Sequence, residues 1–408
     1  CVICMMIMNQ PANSIKCMAA VQFGIDHLLT LSPDWEKDRI GLVTNNAATT
    51  STGEASRAAL IRHGFNLVRL FSPEHGLSTT GADGVAQPDG VDGLTRLQVV
   101  SLYGDHFRPT MEELADLDII LFDIPDAGCR FYTYLWTMTH VMEACAEAGK
   151  KLIVLDRPNP LSGSLKKTEG PLLDEAHCAS FIGRWNIPVR HSCTLGELAL
   201  YFRSTHVPSL ELEVINVLHW NREQTVDQSG WLFVPTSPAI KDTETIALYP
   251  ATCFLEGVNV NEGRGTDDDF KICGAPWIEG ENFCTHFNNE AFPGIAATAI
   301  RYTPAWGVYA GSACQGLRFH ITDEALFRPV QTGIGLIALL KKLYPAQLTE
   351  RLYITAANPE GKGHLDRLTG VHQAWQKIIT GDLSAVLAAS ANLLTIGWEE
   401  RVSGFLLY

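Results

Sequence analysis

The chain has 408 residues, 46% of them hydrophobic and 19% charged, and a formal net charge of −14. That length exceeds one ordinary core and points to two domains, and the balance is that of a folded chain rather than a disordered one. The acidity excludes a broad basic face for DNA or RNA, which needs clustered Lys and Arg, so no nucleic-acid partner is expected. No run reaches the roughly 18 apolar residues that span a bilayer, so stable membrane insertion is not expected either. The apolar start, CVICMMIMNQPANSIKC, lacks the basic segment of a signal peptide and leaves the compartment open, exported or cytoplasmic. The eleven cysteines are scattered and odd in number, and read as buried small hydrophobes rather than staples. Cys1 and Cys4 have a redox-type spacing but sit in an apolar terminus.

Strand and helix signals alternate through the first half. Residues 39–44 read as a short buried strand, 55–63 as a helix ended by Gly64, and 66–71 as the next strand. A loop rich in Gly, Asp and Thr follows over 78–93. Residues 98–103 read as a strand, 109–114 as a helix start with Thr110 as cap, 118–122 as a strand, 134–148 as a helix and 151–155 as a strand. This is a βαβ series, whose physical solution is a mostly parallel sheet covered on both faces. Further along, 195–202 reads as a helix, 212–217 as a strand, 221–240 as a long loop, 314–323 as a strand, 332–343 as a helix and 386–396 as a short helix. The predicted fold class is α/β, with a Rossmann-like domain over 17–200 and a second, smaller α/β domain over 201–408.

Polar residues cluster at one end of the predicted strands: Asn45 and Asn46, the run Ser72-Pro73-Glu74-His75-Gly76, Asp123 and Asp126, then Asp156 and Arg157. Open α/β sheets bind ligands at the carboxyl ends of their strands; turn capping is the plainer reading of any one of these residues. Glu74 sits where Pro73 stiffens the turn and Gly76 permits an unusual backbone path. A buried carboxyl there can serve as a proton donor, with His75 orienting it or meeting substrate. Asp123, Asp126, Arg130 and Tyr132 combine acceptors, a guanidinium and a phenol, which suits a sugar or a carboxylated ligand; a salt bridge at a helix start is the alternative. Glu256, Asn259, Glu262 and Arg264 lie in one Gly-rich stretch, where either Glu can face Glu74 as the second carboxylate of a glycosidase, or the stretch is a solvated loop. Gly263 and Gly265 imply a close backbone approach. Asp267, Asp268 and Asp269 lack a metal-binding alternation. No nucleotide, zinc-protease or nucleophile-elbow motif is present, so neither metal nor cofactor is expected.

Taken in order, Leu42-Val-Thr-Asn45, Leu70-Phe-Ser-Pro-Glu-His-Gly76, Ser101-Leu-Tyr-Gly104, Arg130-Phe-Tyr-Thr-Tyr134, Val154-Leu-Asp-Arg-Pro-Asn-Pro160, Thr194-Leu-Gly-Glu-Leu-Ala199, Phe254-Leu-Glu-Gly257, Gly263-Arg-Gly-Thr266 and Gly274-Ala-Pro-Trp277 closely resemble the bacterial exo-β-N-acetylmuramidases, formerly an uncharacterised domain family. The resemblance covers most of the chain. It implies two domains with a cleft between them, and removal of terminal β-1,4-linked N-acetylmuramic acid from the non-reducing end of peptidoglycan fragments. It implies Glu74 as the prime catalytic residue; Asp123, Glu256 or Glu262 is then expected to position water or stabilise positive charge on the sugar ring. Asn45, His75, Asp126, Arg130, Tyr132, Asn259 and Arg264 would then line the pocket for a muramyl-containing glycan or disaccharide. The departures are Pro125 where a Gln is usual, His191-Ser-Cys-Thr-Leu-Gly-Glu197, and the loop from Pro235 to Lys241. They keep two rivals open: a muramyl-sugar-binding protein without turnover, and a hydrolase of another bond in cell-wall fragments. Oligomeric state is not predicted.

Overall fold

The computed structural model describes residues 20–380 and 396–408. The Cys1/Cys4 pair and the helix expected at 386–396, apart from Ile396, lie outside the described residues. Seven strands form the larger sheet: β1 (Ile40–Thr44), β2 (Leu67–Ser72), β3 (Gly90–Val91), β4 (Gln98–Ser101), β5 (Ile119–Asp123), β6 (Lys151–Leu155) and β7 (Leu212–Ile215). Their order is β3-β4-β2-β1-β5-β6-β7, all parallel except the β3–β4 pair. β1 and β5 are buried along their whole length, because both faces of the sheet are covered. Alternation divides their side chains between two cores: Ile120, Phe122, Leu152 and Val154 pack into one, and Ile119, Leu121, Ile153 and Leu155 into the other. β7 joins β6 in this sheet, so the sheet extends past residue 200 rather than giving the 212–217 strand to the second region.

The second sheet has three antiparallel strands, β8 (Ile272–Ala275), β9 (Ile295–Tyr302) and β10 (Cys314–Ile321), in the order β8-β10-β9. The Gly280–Asn289 helix covers it, the Pro329–Leu343 helix packs against that helix, and the sheet's apolar residues Leu317 and Phe319 belong to the same continuous core as Phe122. The eight described cysteines are free, and all but Cys284 are buried. No helix among the described residues is long and apolar enough to cross a membrane.

The Pro329–Leu343 helix lies so near the Thr243–Thr252 helix that a Cβ on Gly333 would stand 2.1 Å from the Ala251 carbonyl oxygen. Alanine in a helix interior normally gains roughly 0.5–1 kcal/mol over glycine. Here Gly333→Ala is expected to destabilise by about 1–3 kcal/mol through overpacking. Urea unfolding checks this, and a gain in stability would mean that the two helices are not so closely apposed.

Candidate active site

Glu74 stands two residues beyond the carboxyl end of β2. The backbone then turns through two left-handed residues, His75 (φ 66°) and Gly76 (φ 70°). The turn leaves the Glu74 side chain pointing into protein, only 4% exposed. One carboxylate oxygen accepts from the Gly84 amide at 2.8 Å and the other from the Thr133 hydroxyl at 2.8 Å. Thr133 begins the 16-residue helix Thr133–Ala148. His75 Nδ1 donates to the Gly81 carbonyl at 2.8 Å, and the Gly81 amide donates back to the His75 carbonyl at 3.1 Å. His75 thereby closes the loop that presents Asp83. One ligand atom each from Glu74, His75 and Asp83 lie within 4.8 Å of one another. Burial raises the pKa of Glu74, and the charge of Asp83 adds to it, against the opposing effects of His75, Thr133 and Gly84.

These groups open onto a cavity of about 500 Å³. The 3₁₀ segment Cys253–Gly257 and the turn that follows bring Glu256, Glu262 and Arg264 to its wall. Arg264 donates to both glutamates, 3.1 Å from Glu262, and its other terminal nitrogen lies 3.4 Å from Asp83. His364 Nε2 stands 3.3 Å from Glu256. Tyr353 stacks on His364 with ring centroids 4.2 Å apart, and its hydroxyl donates to Asp83. Ion pairs thus link Asp83, which stands within 4.8 Å of Glu74, through Arg264 to Glu256.

The carboxyls are set apart electrostatically. Burial alone would raise Glu256, but Arg264 and His364 prevail and hold it down to about 2. Burial raises Glu262, with Arg264 opposing. The site therefore contains a carboxyl that retains its proton to higher pH and a carboxylate that keeps its charge, the pairing that acid-assisted chemistry requires.

Of the residues singled out in the sequence, Glu74, His75, Tyr132, Glu256, Glu262 and Arg264 line this cavity. Tyr132 contributes its ring, while its hydroxyl donates to Thr236 at 2.6 Å and helps hold the 235–241 loop. The other expected site residues stand elsewhere. Asp123 is fully buried and bound by Arg157 through two contacts of 2.6 and 3.1 Å. Asp126 accepts from the Gly128 amide at 3.0 Å and faces His191 at 3.3 Å. Asn45 accepts from the Ala47 amide in a buried local turn. Asn259 bridges the Gln347 carbonyl and the Thr349 amide. Arg130 is buried, forms no ion pair with an Asp among the described residues, and donates to the carbonyls of Pro171, Ile187 and Leu368. Asp123 and Asn259 are satisfied by an internal ion pair and by backbone, whereas Asn45 Nδ2, one carboxylate oxygen of Asp126 and Arg130 Nε are buried without a hydrogen-bond partner among the described residues.

Asp83, Tyr353, His364 and Arg367, which were not singled out in the sequence, also line the cavity. Only Asp83 carried a signal, its place in the polar loop after Glu74. The close approach implied by Gly265 is to the chain itself: a Cβ there would lie 2.4 Å from the Trp306 carbonyl oxygen. That contact seats the loop whose indole, 54% exposed, edges the cavity.

A family model for the N-terminal part of the exo-β-N-acetylmuramidase NamZ matches residues 40–244, and one for its C-terminal part matches residues 247–408. The peptidoglycan β-N-acetylmuramidase NamZ of Bacillus subtilis (strain 168) is 39% identical over 342 residues, 83% of this chain and 80% of that protein. A crystal structure of a DUF1343 family protein from Bacteroides fragilis NCTC 9343 superposes with a TM-score of 0.84 at 28% identity, covering 95% of this chain and 99% of that one. A second DUF1343 structure from the same organism, at 24% identity and a TM-score of 0.73, covers 96% and 99% and shares the fold. The chain belongs to the exo-β-N-acetylmuramidase NamZ family of glycoside hydrolases.

Proposed function

We propose that this chain removes terminal β-1,4-linked N-acetylmuramic acid from the non-reducing end of peptidoglycan fragments, with Glu74 as general acid. The observation that carries the reading is a buried carboxyl of raised pKa, fixed by Gly84 and Thr133, on the wall of a cavity that also holds the ionised Glu256. Glu74 gives its proton to the bridging oxygen. The C1–O bond breaks with its electron pair on that oxygen, and water adds at C1 and yields a proton to a carboxylate. Asp83 brings a carboxylate oxygen within 4.8 Å of the acid. Glu256 keeps Arg264 and His364 in place.

Two departures from the family pattern separate on position. Ser237, Pro238, Ala239 and Ile240 line the cavity, so the altered 235–241 loop bears on substrate preference. Pro125 lies instead against a separate pocket of about 30 Å³ beside Arg157 and Trp231.

Incubation with a defined MurNAc–GlcNAc disaccharide, followed by mass analysis and anomer-resolved NMR, tests the reading. Release of free N-acetylmuramic acid is expected. Tight binding with no monosaccharide released would make the chain a sugar-binding protein, and loss of acetate with the disaccharide intact would make it a deacetylase.

A further inference from the structure

A muramic residue differs from glucosamine by a lactyl ether that ends in a carboxylate. The cavity already holds Asp83, Glu256 and Glu262. A further anion enters such a wall only if a cation with no other duty meets it. Three arginines line the cavity, and no lysine does. Arg264 is claimed by Glu256, Glu262 and Asp83. Arg351 faces Glu262 at 3.9 Å and lies over the Tyr353 ring at 5.1 Å. Arg367 is half-buried and, among the described residues, its guanidinium has no acidic partner and no stacking ring.

Its position is built. Arg367 lies on the helix His364–Thr369, three residues after His364, a spacing that puts both side chains on one face. His364 docks that face against Glu256. From behind, the buried Arg130 donates to the Leu368 carbonyl at 3.1 Å, and Gly370 lets the guanidinium come so close that a Cβ there would stand 2.4 Å from it. Arg130 is thus a positioning residue for the helix that carries Arg367.

We propose that Arg367 recognises the lactyl carboxylate and is the residue by which this site selects muramic acid over glucosamine; this rests on the muramyl-hydrolase reading above. A guanidinium fork matches a carboxylate in two parallel hydrogen bonds, which makes the interaction sensitive to the loss of either charge.

The test compares a chromogenic β-N-acetylmuraminide with the same glycoside carrying its lactyl group as the uncharged primary amide. In the unaltered protein the acid is expected to have the higher kcat/KM. In Arg367→Gln the acid-to-amide ratio is expected to fall about 10- to 100-fold, mainly through KM, the scale of one charged hydrogen-bonded pair. Arg367→Lys, which keeps the charge but not the fork, is expected to fall between the two and serves also if the Gln variant does not fold. A ratio unchanged in both variants overturns the proposal. If the unaltered protein cleaves neither glycoside, the hydrolase reading fails, and calorimetric binding of N-acetylmuramic acid and its lactyl amide decides separately. Preference for the acid that Arg367→Gln abolishes upholds the carboxylate site; equal binding of both sugars rejects it.

Discussion

Replacing Glu74 with Gln should cut turnover of a MurNAc–GlcNAc disaccharide by roughly 10²–10⁴-fold, with a smaller loss on an aryl glycoside whose leaving group needs little protonation. The same substitution should make the protein more stable at neutral pH. Burial holds the pKa of Glu74 above its ordinary 4.5, with the charge of Asp83 adding to the effect. The native state therefore binds that proton more tightly than the unfolded chain does. Its contribution to stability is complete below pH 4.5 and is lost as pH rises through the raised value, at about 1.4 kcal/mol for each tenfold gain in proton affinity. Gln does not titrate and still accepts from the Gly84 amide. The melting point of E74Q relative to the unaltered protein should thus be higher at pH 8 than at pH 4. Activity needs the protonated form, so the rate should fall on the alkaline side as the same group ionises. An equal melting-point difference at both pH values, or turnover intact in E74Q, would remove Glu74 from the role of acid.

Asp123→Asn should do the reverse, lowering stability sharply while leaving the chemical step in place. Asp123 is wholly buried, and its partner Arg157 is only 6% exposed. Arg157 also donates to the Thr49 carbonyl at 2.7 Å and lies over the Phe23 ring at 4.8 Å. Removing the acid leaves a buried guanidinium without its counter-charge, a loss of about 3–5 kcal/mol. Replacing both members, Asp123→Leu with Arg157→Met, should recover much of it, because a buried pair often contributes little beyond well-packed apolar groups. Thermal melting with kcat measured per folded molecule separates the two roles. An Asp123→Asn protein that melts normally but does not turn over would return Asp123 to the catalytic set.

Asp123 also shows where sequence reasoning stops. The alternation of apolar strands and helices was legible because period and length report burial directly, and the larger sheet followed from it. β8 and β9 were not legible. β8 is four residues long, and β9 has several residues only partly covered, so neither leaves a clear pattern. Glu74 could be singled out because a strand end, a proline and a glycine coincide there. Asp123 stands at an equally suggestive strand end, but there it is bound by Arg157, which also lies over Phe23. Polar residues that bind a ligand and polar residues that bind each other look alike until the partner is known. Glu256, Glu262 and Arg264 were found through a compact Gly-rich run. Asp83 lay within a polar loop with no periodicity. Tyr353, His364 and Arg367 come from a part of the chain with no motif, and only the docking of the 364–369 helix makes them part of the site.

That docking has a consequence for how the protein comes into being. The two hydrogen-bond donors of Glu74 lie close after it in the chain, at Gly84 and Thr133, yet the wall opposite in function needs Glu256 and His364, and Arg130 has no carbonyl at Leu368 until the chain has been made that far. A nascent chain emerging from the ribosome therefore holds the acid long before it holds a site. The Arg130 contact to Leu368 joins parts of the chain 238 residues apart, so the wall that carries His364 waits on nearly the whole length of the chain.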